Sequence, residues 1–291
     1  MNFGRKLEAE SANVLEIKDV TKKFGGITSL DNVNIVLGEQ TIHGLIGPNG
    51  AGKTTLFAVL SGELHPDNGD IYFFGKSIKG LSTPKRARLG IGRTFQRLEL
   101  FKGMTVSEHI LISLRGRDSN WGNFSLYQIL TEPTSNYPAS SKRTFVESKF
   151  HFFRQFSRGA PNSNESEKIN SLLNSLNLSE VADRQVESLP LGHGRLVEMA
   201  RALALSPQVL LLDEPSSGLD SLEAQVLSNA IKAVVETYRC SVIIVEHDIK
   251  FVEELASAVT VLDAGKIVAT GETKTVLRSD KVRAIYSGIS T

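Results

Sequence analysis

Gly47-Pro48-Asn49-Gly50-Ala51-Gly52-Lys53-Thr54-Thr55 satisfies every position of the GxxxxGK[ST] phosphate loop. Just before it, Thr41-Ile42-His43-Gly44-Leu45-Ile46 is apolar and strand-like; just after it, Leu56-Phe57-Ala58-Val59-Leu60 suits a helix. That strand–loop–helix setting gives the motif its meaning, because the loop amides and the helix N-terminus then converge on one anion. Gly47, Gly50 and Gly52 let backbone N–H groups curl into a nest, and the helix adds partial positive charge. Lys53 is placed to reach the β- and γ-phosphates of a nucleotide, Thr54 to offer its hydroxyl to Mg²⁺, and Thr55 to touch the α-phosphate. A plain glycine-rich turn is the alternative reading of the nonapeptide alone.

A chain of 291 residues that is 41% hydrophobic can bury a substantial core. Its 33 basic residues nearly balance 32 acidic ones, so bulk charge gives no argument for nucleic acid or an acidic partner. No apolar run approaches the roughly 18–20 residues that span a bilayer, and Met1–Ala12 is polar, without a signal peptide's apolar segment. A cytosolic chain is expected. The single cysteine, Cys240, excludes an internal disulfide; beside Ser241-Val242-Ile243-Ile244-Val245 it is expected to be buried.

Ahead of the phosphate loop, Val14–Ile17 and Val33–Leu37 flank Gly25-Gly26, which suggests antiparallel strands, joined later by Ile71–Gly75. Val209–Leu212, Val242–Val245 and Val259–Leu262 are short, continuously apolar and separated by helical stretches, the pattern of a parallel sheet covered on both faces. Between about 97 and 190 β-runs vanish and helical segments such as Val106–Arg115 and Lys168–Leu176 take over, implying a helical subdomain inserted in an α/β core. Within it Gly116–Ser166, rich in Ser, Asn, Gly and Pro, reads as irregular, except that Phe145, Phe152 and Phe156 recur at helical spacing over Thr144–Phe156. Those phenylalanines suit core packing better than a membrane surface. Ala264-Gly265-Lys266 reads as a turn, Ile267–Ala269 as the next strand, and a charged helix as starting near Glu272.

Val209-Leu210-Leu211-Leu212-Asp213-Glu214-Pro215 is a strand ending in two carboxylates, at the sheet edge where open α/β folds bind ligands. Asp213 is expected to hold Mg²⁺ through water, and Glu214 to orient and deprotonate the water that attacks the γ-phosphate. Alone, the pair could merely cap a loop. Together with Lys53 and Thr54 it makes a hydrolytic constellation.

With these motifs in order, the sequence from Val14 to Tyr286 resembles the nucleotide-binding subunit of ATP-binding-cassette (ABC) transporters. The resemblance implies an α/β P-loop ABC nucleotide-binding domain: a mixed central sheet, an antiparallel β subdomain and an inserted helical subdomain. It implies a flexible tail over 1–12, one ABC ATPase domain over 13–286 with the insertion at about 97–190, and a tail over 287–291. Phe24 matches the aromatic that stacks on adenine, or else is a β-edge phenylalanine. Gln96, in Gly92-Arg93-Thr94-Phe95-Gln96, matches the glutamine that links Mg²⁺ and the attacking water to the transport subunit, or else is an exposed polar residue at a strand end. Ser217-Gly218-Leu219-Asp220 matches the loop through which two cassettes communicate, or else is an ordinary helix N-terminus. His247 matches the switch histidine that contacts the γ-phosphate, or else is a satisfied polar residue at a strand end.

One motif departs from the pattern. Where the family signature reads Leu-Ser-Gly-Gly-Gln, this chain has Leu189-Pro190-Leu191-Gly192-His193. In the family, that stretch binds the γ-phosphate of ATP held on the opposite subunit. Pro190 supplies neither hydroxyl nor N–H, leaving the Gly192 amide, the helix dipole and His193 to clamp it. One lost hydrogen bond to a charged group is worth about 1.5–3 kcal/mol. The stretch from Gly90 to Glu108, Glu246-His247-Asp248-Ile249 and Val282–Gly288 are similar to ATPases of the branched-chain amino-acid import group. That resemblance implies ATP and Mg²⁺ as ligands, two membrane permease subunits, a second ATPase subunit that is a different chain or else a second copy of this one, an extracytoplasmic solute-binding protein, no nucleic acid, and a place on the cytoplasmic face of the plasma membrane. The alternatives are a lipid or polysaccharide exporter's ATPase, a soluble non-transport ABC ATPase, and a regulatory module without turnover.

Overall fold

A computed structural model of the chain describes residues 13–94, 98, 100–118 and 159–287. Two sheets organise them. β1 (Asn13–Phe24) and β2 (Ile27–Gly38) form a hairpin around Gly25-Gly26, with β4 (Asn68–Phe73) and β5 (Lys76–Ser77) adding on β1's other side in the order β2-β1-β4-β5, every pairing antiparallel. The second sheet runs β10-β9-β3-β8-β7-β6. Its strands β3 (Ile42–Ile46), β6 (Ile91–Arg93), β7 (Val209–Asp213), β8 (Ser241–Val245) and β9 (Ala258–Asp263) are mutually parallel. β10 (Lys266–Glu272) closes one edge antiparallel to β9, through the turn at Ala264-Gly265. The sheet is mixed, as expected.

Nine α-helices occur among the described residues: α1 (Lys53–Ser61), α2 (Thr83–Leu89), α3 (Val106–Asp118), α4 (Ser163–Ser175), α5 (Leu191–Ala204), α6 (Ser221–Tyr238), α7 (Ile249–Leu255), α8 (Thr273–Arg278) and α9 (Asp280–Ser287). The continuous apolar runs explain how they pack. Successive side chains of a strand point to opposite faces, so a strand covered on both sides needs apolar residues at every position. In β7, Val209 and Leu211 enter one core with β1, β2 and the Leu56, Phe57, Val59 and Leu60 face of α1. Leu210 and Leu212 enter another, with Ile110 and Leu111 of α3, Leu172 and Leu173 of α4, Leu196 of α5 and Ile231 of α6. All four β7 residues are essentially solvent-free.

Several features differ from the local pattern. The first two strands run twelve residues each, because polar positions such as Lys18 and Asn34 sit on the exposed face of a pleat whose other face is buried. β6 is only three residues long, too short for a period to register; parallel pairing with β7 makes it. Gly116–Ser166, expected to be irregular, is helical at both ends: α3 continues to Asp118, and α4 begins at Ser163 with an Asn162–Glu165 capping box. The helix expected over Thr144–Phe156 lies outside the described residues, as do both tails apart from Ser287. The charged helix expected after Glu272 is two short ones, broken at Ser279, which adopts an extended backbone. Cys240 is buried, and its thiol is pushed up to about 12 by desolvation.

Candidate functional site

The sheet order gathers the site. β3, β8 and β7 are neighbours and parallel, so their carboxyl ends bring residues 47–55, Glu214 and His247 to one edge. The cleft there is lined by Asn49–Thr55 together with Ser29, Glu214 and His247. Two glycines are required by the geometry. Gly47 has φ 151°, and a Cβ on it would lie 2.0 Å from the Leu262 carbonyl oxygen; Gly52, with φ 104° at the N-cap of α1, would meet the Ser29 carbonyl oxygen at 2.4 Å. The loop is therefore wedged between β9 and β2, with no room for a side chain at either pivot.

Lys53 is buried and folds back over the loop, its Nζ donating to the carbonyls of Gly47 at 2.6 Å and Pro48 at 2.9 Å. Burial lowers its amine below the ordinary lysine range, and the carboxylates of Glu214 and Asp213 oppose that shift. The amine thus rests on two neutral oxygens and can exchange them for phosphate oxygens. Thr55 shares a hydroxyl contact of 2.8 Å with Ser29, tying the loop to β2. Thr54 is exposed.

Glu214 lies just past β7 in the left-handed region, φ 47°, a conformation a non-glycine residue holds only under constraint. Its amide donates to Val245 at 2.9 Å, and its Oε1 meets His247 Nε2 at 2.5 Å. Glu246 holds the backbone of His247 and of the turn two residues past Glu214. It is buried, and its carboxylate accepts from the Ser216 amide at 2.8 Å and the His247 amide at 3.2 Å; burial pushes its carboxyl above the ordinary range, opposed by those bonds. Asp213 sits behind them at 6% exposure, held by Arg93 Nη2 at 3.2 Å. Desolvation raises its carboxyl, and Arg93 opposes the rise.

Among the described residues no three His, Cys, Asp or Glu side chains cluster as a metal site. One hydroxyl, Thr54, and one carboxylate, Asp213, are too few for an ion alone. They suit a hard cation whose remaining oxygens come from phosphate and water, which is the binding habit of Mg²⁺.

The other candidates among the described residues do not line this cleft. Phe24 is 46% exposed at the end of β1, with Lys22 Nζ 5.5 Å from its ring centroid, open to a stacking partner. Asp220 is the N-cap of α6 in a capping box with Glu223. Leu189 packs partly against the helical core, and Pro190 caps α5 without a side-chain bond. The Gly192 amide, expected to face a nucleotide, instead donates to Glu223 Oε1 at 3.2 Å. His193, one residue on, is half-buried. Gln96 lies outside the described residues.

The model for the family described as ABC transporter matches residues 30–217. The chain belongs to that family. It is an ABC ATPase, similar over nearly its whole length to several ATP-binding proteins. The high-affinity branched-chain amino acid transport ATP-binding protein BraF of Pseudomonas aeruginosa is 33% identical over 278 residues, covering 96% of this chain and 99% of that one. LivG of Escherichia coli, which carries the same description, is 31% identical with the same coverage. The crystal structure of the ADP conformation of MJ1267, an ATP-binding cassette of an ABC transporter, superposes with a TM-score of 0.74 at 29% identity, covering 95% of this chain and 99% of that one. Ser29, Arg93 and Glu246 bond to residues of the cleft or to Asp213 behind it, and Glu223 bonds to Gly192 away from it; the sequence assigns none of these four a role. The pairings that cross the fold are distant in sequence, 26 residues for Ser29 with Thr55, 120 for Arg93 with Asp213 and 30 for Glu246 with Ser216, and no local motif marks them.

Proposed function

We propose that this cassette hydrolyses ATP to power an importer of branched-chain amino acids or similar small polar solutes. The observation that carries the reading is the similarity to BraF and LivG, 33% and 31% identical over 96% of this chain. In this reading Asn49–Thr55 cradle the phosphates, with Lys53 leaving the Gly47 and Pro48 carbonyls for the β- and γ-phosphates, and Phe24 stacks on adenine. Thr54, Asp213 and Gln96 hold Mg²⁺, which offsets negative charge on the phosphates. Glu214 accepts a proton from the attacking water as the water oxygen bonds to the γ-phosphorus and the bond to the β-phosphate bridging oxygen breaks. His247, already bonded to Glu214, keeps that carboxylate aimed until nucleotide arrives and then contacts the γ-phosphate.

The same reading places the cassette beneath two permease subunits on the cytoplasmic face of the membrane, with a binding protein delivering solute. No helix among the described residues is long and apolar enough to cross a membrane, so anchoring falls to those permeases. The partner ATPase is a different chain with a more regular signature, because Leu189, Gly192 and His193 offer fewer donors to a nucleotide than the family pattern does. The test is isolation of the complex with its permeases and a solute-uptake screen. ATP-dependent uptake of leucine, isoleucine or valine that disappears in Glu214→Gln supports the reading; co-purification with a lipid-export permease overturns it, and two identical copies of this chain overturn the heterodimer.

A further inference from the structure

Asp213 ends β7 almost without solvent, and a lone carboxylate there has a broad terminal torsion and no water to hold it. A cation from the next strand supplies the restraint. Arg93 closes β6, in register with Leu211, and its Nη2 donates to Asp213 Oδ2 at 3.2 Å. Its Nη1 donates to Glu63 Oε1 at 2.5 Å and to Ser61 Oγ at 3.2 Å, at the far end of the helix that the phosphate loop begins. The guanidinium carbon lies 6.0 Å from the ring centroid of the fully buried Phe57. One planar fork therefore ties α1, β6 and β7 together, and only a guanidinium offers separate donors to two carboxylates at fixed angles.

We infer that Arg93 is a positioning residue for Asp213, and that the Glu63–Arg93–Asp213 bridge sets how strongly the cassette prefers Mg²⁺-bound nucleotide over metal-free nucleotide. Neither Arg93 nor Asp213 lines the cleft; Asp213 lies just behind Glu214, and Arg93 reaches the cleft's chemistry through the Asp213 carboxylate. Its positive charge by itself disfavours a second cation nearby. The orienting effect outweighs that, because partners that orient a metal-bound group are typically worth about 10- to 100-fold in metal affinity. Glu63, by sharing the guanidinium, moderates its charge and fixes the fork. The inference rests on the nucleotide-hydrolysing reading above.

The experiment measures ADP affinity of the full chain by calorimetry in EDTA and in excess Mg²⁺, the ratio being the metal preference, with Mn²⁺–ADP as a paramagnetic probe of the metal's surroundings. In Arg93→Ala the ratio falls about 10- to 100-fold while binding in EDTA holds, and the Mn²⁺ spectrum changes. Arg93→Lys recovers part of the ratio, since a lysine reaches one carboxylate as a point charge. Glu63→Gln leaves Arg93 in place and lowers the ratio by less. A folded Arg93→Ala with an unchanged or larger ratio overturns the inference; if that variant does not fold, an unchanged ratio in Glu63→Gln does so. A wild-type ratio of one, or ADP binding indifferent to Lys53→Ala, instead sinks the underlying reading of the phosphate loop.

Discussion

Two helix N-termini in this chain face opposite fates. At α1 the loop amides open on a cleft, and the nearby basic group, Lys53, is parked on carbonyls it can abandon. At α5 the Gly192 amide is engaged by the Glu223 carboxylate, which also completes the capping box of α6. Both ends carry the same partial positive charge. The first faces an open cleft and the second is engaged by an internal carboxylate, so any nucleotide that approached Gly192, as the proposed function requires of ATP on a partner cassette, would have to displace Glu223. Besides the hydroxyl that Pro190 lacks, the bond to Glu223 is a second way in which this helix start differs from that of α1.

The comparison can be broken hardest at the open end. Glu214→Gln should lower steady ATP turnover of the assembled complex by about 10²–10⁴-fold while nucleotide still binds, read by phosphate release and by calorimetry. Retained turnover would remove Glu214 from the chemistry. A second comparison separates the halves by acid. His43, in β3, is buried with its Nε2 2.8 Å from the Thr260 hydroxyl, and burial lowers it to about 4. His109, in α3, accepts from the Phe101 amide at Nε2 and meets the Thr105 carbonyl at Nδ1; burial, with Arg201 adding to it, lowers it to about 3. Both pKa values are depressed on folding. Stability is therefore full above the unfolded histidine value near 6.5 and declines as pH falls toward about 4 and about 3, by about 1.4 kcal/mol per pH unit for each histidine. Urea melts at pH 7 and 5.5 should show the loss, and His109→Leu should roughly halve the pH slope in that window.

Lys53→Ala should weaken nucleotide binding about 10- to 150-fold, the equivalent of 1.5–3 kcal/mol for a bond to a charged group. Binding that survives would mean the amides suffice. The smallest effect sharpens the other end: Glu223→Ala removes a capping partner at a cost of about 1 kcal/mol, read as a lower melting temperature, yet frees the Gly192 amide and should tighten ATP-dependent association with the partner cassette. Weaker association would show that Glu223 supports the signature.

What was legible in the sequence was whatever a short segment decides by itself. Residues 47–55 state their own backbone needs, and Val209–Glu214 states both a buried strand and the carboxylates at its end. Contacts between segments were not. Arg93 and Asp213 are 120 residues apart, and their pairing exists because β6 joins the sheet beside β7. Glu223 reads locally as a capping residue, and only the packing of α5 against α6 turns its other oxygen toward Gly192. The three-residue β6 and the kink at Ser279 fall below the length at which periodicity carries information.

β7 feeds alternate side chains to two separate cores, so it works as a party wall between them. A void opened beneath Leu211 or beneath Leu212 would arise in different compartments, yet either would tilt the strand that delivers Asp213 and Glu214. Damage far from the cleft, on either floor, should therefore reach the chemistry through the same few ångströms of backbone.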